Sequence, residues 1–294
     1  MEPNKYQVKF TESNIEINKL LFDISDMDIK KLMSLQKKDR DEILNKVANI
    51  MLKYEITENV MNLSDAEKMK INKEITNSII STFKDQAEIE SEDVGNLLNN
   101  IAKEKYYLNS FNLSLGLDFD LKKIDSKTLN RIINKTIKGK NYSDRIWSNK
   151  NNIAKILQKE IKDFIEGKTS VNKINGILRD RFNQSAYVTK RLISNETARV
   201  MEESNSQWMD DLGVEYVMYM GTLDNHTCSD CGEHDGQVYK RGEEPVETPV
   251  HVGCRCTYSA IPNPDWKPKK RMNNETKEII SWNSYNNWKK ENNI

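Results

Sequence analysis

Proline is nearly missing from most of this chain. Of its six prolines, Pro3 stands alone near the start, and Pro245, Pro249, Pro262, Pro264 and Pro268 crowd the end. Glycine is scarce as well: there are 11 in 294 residues, and six of them fall between Gly213 and Gly253. Proline breaks helix interiors and glycine weakens them, so a region poor in both is free to stay helical for long distances. Residues 1 to about 212 are therefore expected to be mainly α, and residues 213 to about 264 to form short strands and loops. An excess of one charge is also absent, with 45 basic against 45 acidic residues, which removes any global field drawing the chain to nucleic acid or to an anionic membrane. Hydrophobic residues are only 37%, so much of the surface should be solvated helix. The opening MEPNKYQVKF lacks the apolar stretch of a secretory signal. No apolar run approaches the ~20 residues that cross a bilayer. The expectation is a soluble chain, cytosolic where it is made, with no membrane partner.

Local signals place the helices. Ser64 and Glu67 in SDAEKMKINKEI stand in capping-box register. From Ser143, the residues Ile146, Ile153, Leu157, Ile161 and Phe164 share one face, with Gly167 as the stop. SVNKINGILRDRF repeats the pattern with Val171, Ile174, Leu178 and Phe182, and a third helix is expected from about Ala186 to Leu212, ended by Gly213. VEYVMYM then reads as a strand, with GQVYK and CRCTYSAI as weaker candidates. Residues 112–125, NLSLGLDFDLKKID, read as a linker or a hairpin. After Pro264 come a basic cluster (Lys267, Lys269, Lys270, Arg271) and three aromatics (Trp282, Tyr285, Trp288) whose spacing suits one docking helical face.

Cysteine and histidine are absent from the first 225 residues, after which all four cysteines and all three histidines fall between 226 and 256. The order is C-x2-C at Cys228 and Cys231, then HVGCRC with His251, Cys254 and Cys256. C-x2-C brings two thiolates from one tight turn to adjacent corners of a tetrahedron, as structural zinc requires. Five ligands compete for four places: Cys228, Cys231, His251, and either Cys254 or Cys256. Disulfides do not suit a cytosolic chain. A thioredoxin-type C-x2-C would open a helix after a strand, whereas the following GEHDG reads as a turn. A filled ligand set leaves no open position for a catalytic water, so the zinc is expected to be structural. The fold class is thus mainly α with a small C-terminal α+β metal-binding module of zinc-knuckle type.

The stretch ISNETARVMEESNSQWMDDLGVEYVMYMGTLDNHTCSDCGEHDGQVY, closing with PVHVGCRCTYSAI, resembles the phage Mu F-like head morphogenesis proteins, also called minor capsid or minor head proteins. The matching positions are Glu196, Gly213, Val214, Asp224, Thr227, Cys228, Cys231, Asp235, Gly236, His251, Cys254, Arg255 and Cys256. Asn195 stands where the family usually has threonine, and Val252 where it has proline. Coverage runs from about Tyr142 to Ile261. The expected organisation is a helical region over 1–140, a Mu F-like domain with the metal site over 141–262, and a basic, aromatic tail over 263–294. The resemblance implies a structural protein without catalytic residues that acts at or near the portal inside a phage or prophage head. Its implied partners are the portal, other capsid or scaffold proteins and packaged DNA, with no small-molecule substrate. It would be found in the host cytoplasm during assembly and in the virion afterwards.

Glu196 follows Val188 and Leu192 at steps of four and precedes Val200, so its carboxylate lies on an apolar stripe and needs a partner. Arg199 or Arg255 would supply one, in an ion pair tying the helix to the metal module. Two other functions compete. An HNH-like nuclease would draw on His234, Asp235 and His251, but that fold needs a helix after its histidine. A zinc-ribbon nucleic-acid binder fits poorly with net neutrality and with the acidic run GEEPVE.

Overall fold

The computed structural model describes residues 5–114, 120–266 and 268–292. Lys267 and residues 115–119, part of the stretch read as linker or hairpin, lie outside them. The described residues are mainly helical: α1 (Lys5–Lys53), α2 (Asp65–Ser114), α3 (Ser126–Ile133), α4 (Tyr142–Ile165) and α5 (Val171–Leu212), with a tiny hairpin of β1 (Ile56–Thr57) and β2 (Val60–Met61) between the first two. The C-terminal part follows as β3 (Tyr216–Met220), α6 (Ser229–His234), β4 (Val238–Lys240), β5 (Thr257–Ile261), β6 (Lys270–Asn273), β7 (Glu278–Ser281) and α7 (Tyr285–Glu291).

Contacts gather into two compact units. One comprises Met27–Asn96 and Thr136–Ile193; the other comprises Met1–Asp26, Leu97–Lys135 and Ser194–Ile294. These units cut across the three consecutive segments read from the sequence, because α1, α2 and α5 each contribute to both.

The first unit is a four-helix packing. Ile43 and Val47 of α1, Ile75, Ile79 and Phe83 of α2, Leu157, Ile161 and Phe164 of α4, and Ile174, Leu178 and Phe182 of α5 share one apolar core. Glu58 and Asn59 adopt positive φ (52° and 64°), the geometry a two-residue hairpin turn demands, and this delivers Met61 and Leu63 to the same core. The capping box at Ser64 and Glu67 is present: the Ser64 N–H donates to Glu67 Oε2 at 2.9 Å, and the Glu67 N–H to Ser64 Oγ at 3.4 Å. At the other end of α4, Gly167 (φ 78°) closes the helix, with Lys168 N–H donating to Asp163 O at 2.8 Å.

One expectation is corrected here. Residues 171–212 form a single 42-residue helix, not two. Asn183 and Ser185 at the expected break are weak helix formers, but the stretch carries neither proline nor glycine. The buried residues Phe182 and Thr189 on either side of them hold the helix through.

In the second unit, α5 ends at Gly213 (φ 66°) with two reverse bonds, Gly213 N–H to Asp210 O and Val214 N–H to Met209 O. This turn launches β3 into an antiparallel sheet ordered β4-β3-β5, with Val217 opposite Tyr239 and Ala260, and Tyr219 opposite Tyr258. The tail is folded rather than a single helix. Arg271 and Ile280 pair within the β6–β7 hairpin, Trp282 lies just past that hairpin, and only Tyr285 and Trp288 are helical. Both are buried, 3% and 2% exposed, and pack with Leu223 in the loop after β3.

Candidate metal centre

The site is assembled from two loops. After β3, Asp224 Oδ1 accepts from the His226 N–H (3.0 Å) and from Thr227 Oγ1 (3.0 Å), while Thr227 Oγ1 also reaches Thr222 O at 2.5 Å. These short-range bonds fold residues 222–227 back on themselves and deliver Cys228 to the start of α6. Cys228 is the N-cap of that helix, its sulfur accepting the Cys231 N–H at 3.4 Å. The stretch after Cys228 is therefore a short helix, not the turn read from its glycine and charge. Opening a helix does not by itself distinguish a redox pair from a metal site. What distinguishes them here is the second loop.

That loop is HVGCRC. Cys254 N–H donates to His251 O at 3.1 Å, closing a turn through Gly253 (φ 82°) that keeps the two residues on one short loop. The Gly253 N–H in turn donates to Asn195 Oδ1 at 2.7 Å, which fastens the loop to α5. Asn195 is one of the two positions where the chain departs from the family pattern, and it is the side chain that seats the knuckle.

The ligand atoms lie close together. His251 Nε2 is 3.2 Å from Cys228 Sγ and 3.5 Å from Cys231 Sγ, and Cys231 Sγ is 3.9 Å from Cys254 Sγ. Tetrahedral zinc, with Zn–S of ~2.3 Å and Zn–N of ~2.05 Å, spaces its ligand atoms by roughly 3.5–3.8 Å. These three separations bracket that spacing and are far too long for a disulfide. Cys256 joins the other side of the cluster: Cys231, Cys254 and Cys256 form one close group, and Cys228, Cys231 and His251 the other. The His251 ring is oriented by Nδ1 on Val252 O at 3.0 Å, which leaves Nε2 for a metal. Hydrogen bonds from Cys231, then Cys254, hold the Cys256 sulfur well below the ordinary thiol range, while the same contacts and burial push Cys231 and Cys254 up. Sulfurs this close cannot all ionise without a cation, and a divalent cation would draw off the remaining protons. The cysteine cluster could thus hold a metal ion. A polar cavity of about 300 Å³ lies against it, lined in part by Asp224, Thr227 and His226.

The other residues singled out in the sequence have specific places. Glu196 is buried on α5 with Arg199 Nε donating to its Oε2 at 2.8 Å. The remaining Arg199 donors reach Ile132 O (2.6 Å) and Ile133 O (3.0 Å), the carbonyls at the end of α3. Arg199 thus fastens α5 to α3, whereas the expectation was a tie to the metal module. Arg255 lies elsewhere, its guanidinium 4.8 Å above the Phe22 ring. His234 sits on α6 with Nδ1 at 2.9 Å from the Tyr239 hydroxyl, outside both candidate ligand groups.

No local pattern marks Asp235 and Arg271 as a pair. Asp235, on the loop after α6, takes both Arg271 Nη atoms (2.7 and 3.1 Å) and also accepts the backbone N–H groups of Gly221 (2.8 Å) and Tyr285 (2.7 Å). Arg271 further reaches Gly221 O (2.5 Å) and Asn283 O (2.8 Å), and its guanidinium stacks 4.6 Å from Trp282. Arg271 belongs to the basic cluster after Pro264, yet it is a buried clasp between the tail and the metal-bearing loops. Its separation of 36 residues from Asp235 carries no local pattern that would betray the pairing.

No curated protein and no solved structure matches the chain. Residues 149–259 match the model of the family described as Phage Mu protein F like protein, a span that holds both candidate metal loops. The resemblance carried by the cysteine–histidine pattern is therefore shown, over residues 149–259, as a resemblance to the family Phage Mu protein F like protein.

Proposed function

We propose that this chain is a minor head protein of a phage or prophage, a structural component that acts at or near the portal during head assembly. The observation that carries this reading is the coincidence of the family match with two close groups of cysteines and histidine that share Cys231. The proposed ion is zinc, because thiolate and imidazole ligands at tetrahedral spacing suit it. The proposed ligands are Cys228, Cys231, His251 and Cys254. Cys254 is favoured over Cys256 because its backbone N–H bonds to His251 O within the same short turn, whereas the Cys256 sulfur lies 3.9 Å from the Thr222 hydroxyl. With four protein ligands the ion is structural, and the proposed partners are the portal, other capsid or scaffold proteins and packaged DNA.

An HNH-like nuclease is less well supported. Asp235 is consumed by Arg271, His234 by Tyr239, and the chain after HVGCRC enters strand β5 rather than a helix. A zinc-ribbon nucleic-acid binder loses Arg271 from its basic patch.

The test is quantitative mass spectrometry on procapsids and mature particles induced from the strain that encodes the chain. A few to some tens of copies per particle, tracking with the portal, is expected. Particles that lack the chain, with the protein free in the lysate, would remove the head-protein reading.

A further inference from the structure

Outside the metal cluster, one lysine is buried without an acidic partner in bonding range. Lys105 of α2 is 3% exposed, and its Nζ donates to the side-chain carbonyl of Asn18 on α1, Oδ1 at 2.7 Å. A buried lysine is ordinarily matched to a carboxylate. Here, among the described residues, no carboxylate oxygen lies within salt-bridge distance of Nζ. Instead Asn18, Lys105 and the half-buried Glu202 of α5 line one small cavity of about 20 Å³, with Phe22 as part of its wall. That is room for roughly a single water molecule.

We propose that Lys105 and Asn18 join through a spontaneous isopeptide bond, with Glu202 relaying the proton. The geometry suits the step. Nζ already touches the carboxamide oxygen at 2.7 Å, so Cγ, one carbonyl bond (about 1.23 Å) further on, lies within ~3.9 Å of it. A small side-chain shift brings the pair to the ~3–3.5 Å separation from which addition proceeds. The Nζ lone pair adds to Asn18 Cγ and a C–N bond forms. Glu202 gives its proton to Nδ2, the Cγ–Nδ2 bond breaks, and ammonia leaves. The new amide nitrogen returns a proton to Glu202, which ends as it began. One amine and one primary amide become one secondary amide and one ammonia, and no oxidant or cofactor is needed.

Two features of the surroundings favour this chemistry. Burial pulls the Lys105 pKa down to about 8, offset only in part by Glu202, so the nucleophilic amine is accessible near neutral pH. Burial raises that of Glu202, even though Thr257 Oγ1 donates to it at 2.5 Å, which favours its holding a proton. Phe22 and the tight cavity limit the water that would otherwise compete for the carboxamide. The product links α1 to α2 across 87 residues of chain.

The experiment is the intact mass of the purified full-length protein, denatured after incubation at mildly alkaline pH. The expected chain is lighter than its sequence mass by one ammonia. A tryptic digest should contain a branched peptide joining the segments around Asn18 and Lys105, with no cleavage after Lys105. Asn18→Ala and Lys105→Ala should each show the full sequence mass. Glu202→Gln, which keeps the shape of the site but cannot relay the proton, should remain largely uncoupled. A wild-type chain at full mass overturns the proposal with no variant required. Loss of ammonia with trypsin still cutting after Lys105 marks an internal succinimide and overturns it equally.

Discussion

Lys150 of α4 and Glu90 of α2 are 1% and 3% exposed at their side chains and bond to each other at 2.5 Å. Gln36 donates to both Glu90 and Thr189, and Gln86 bridges Lys150 and Asp39, so the charges sit inside a network of amides. Burial pulls the Lys150 pKa down, and Glu90 opposes that shift. Removing one member of such a pair strands the other. Glu90→Leu should therefore destabilise the first unit by about 3 kcal/mol, whereas Glu90→Leu combined with Lys150→Met should recover most of the loss. Urea unfolding of the three proteins decides it, and equal destabilisation by the single and the double variant would contradict the pairing. The Asp235–Arg271 clasp belongs to the same scale. Its side chains are 0% and 3% exposed, and Asp235 also satisfies two backbone amides. Asp235→Ala should cost roughly 3–5 kcal/mol and loosen the tail first, read by fluorescence of Trp288 and Trp282. An unchanged unfolding midpoint would show that the clasp is dispensable.

At the scale of elements, α6 and α7 are held face to face by the absence of a side chain. A Cβ on Gly232 would lie 2.4 Å from the Tyr285 ring, and the Tyr285 hydroxyl donates to Thr227 O at 2.8 Å. Gly232→Ala should push α7 off α6 and expose residues 263–292 to protease, while a fully protected tail would refute the contact. The long helices were legible in the sequence because local rules govern them: the Ser64–Glu67 capping box, the Gly167 and Gly213 stops, and the four-step apolar stripes. Strand β3 was legible from its β-branched and aromatic run. The single α5 was read as two helices because the polar Asn183–Ser185 stretch resembles a break, and packing overrode it. The β6–β7 hairpin was missed because KRMN and EIIS carry little strand signal, and their pairing is fixed by Arg271 reaching a distant aspartate. Likewise, spacing named the five candidate ligands. It could not anticipate that Asn195, on another element, seats the second metal loop.

For the whole molecule, charge is balanced, and among the described residues no helix is long and apolar enough to cross a membrane. The sheet buries Val217, Met218, Tyr219, Tyr258 and Ile261, but the loops that carry the cysteines and His251 lie outside it and need their own source of order. The proposed zinc supplies it by joining residues 228–231 to residues 251–254, since binding energy at such a site is also folding energy. Cys228→Ser should then lose the ion and render residues 213–260 protease-sensitive, leaving the helices of the first unit folded. The most direct measurement is the metal content of the purified full-length chain, taken with its protease protection before and after treatment with a strong chelator. One zinc ion per chain, with residues 213–260 opened to cleavage on chelation and closed again on adding zinc, is the expected result. A metal-free chain that is equally protected, and indifferent to the chelator, would contradict a metal-stapled module.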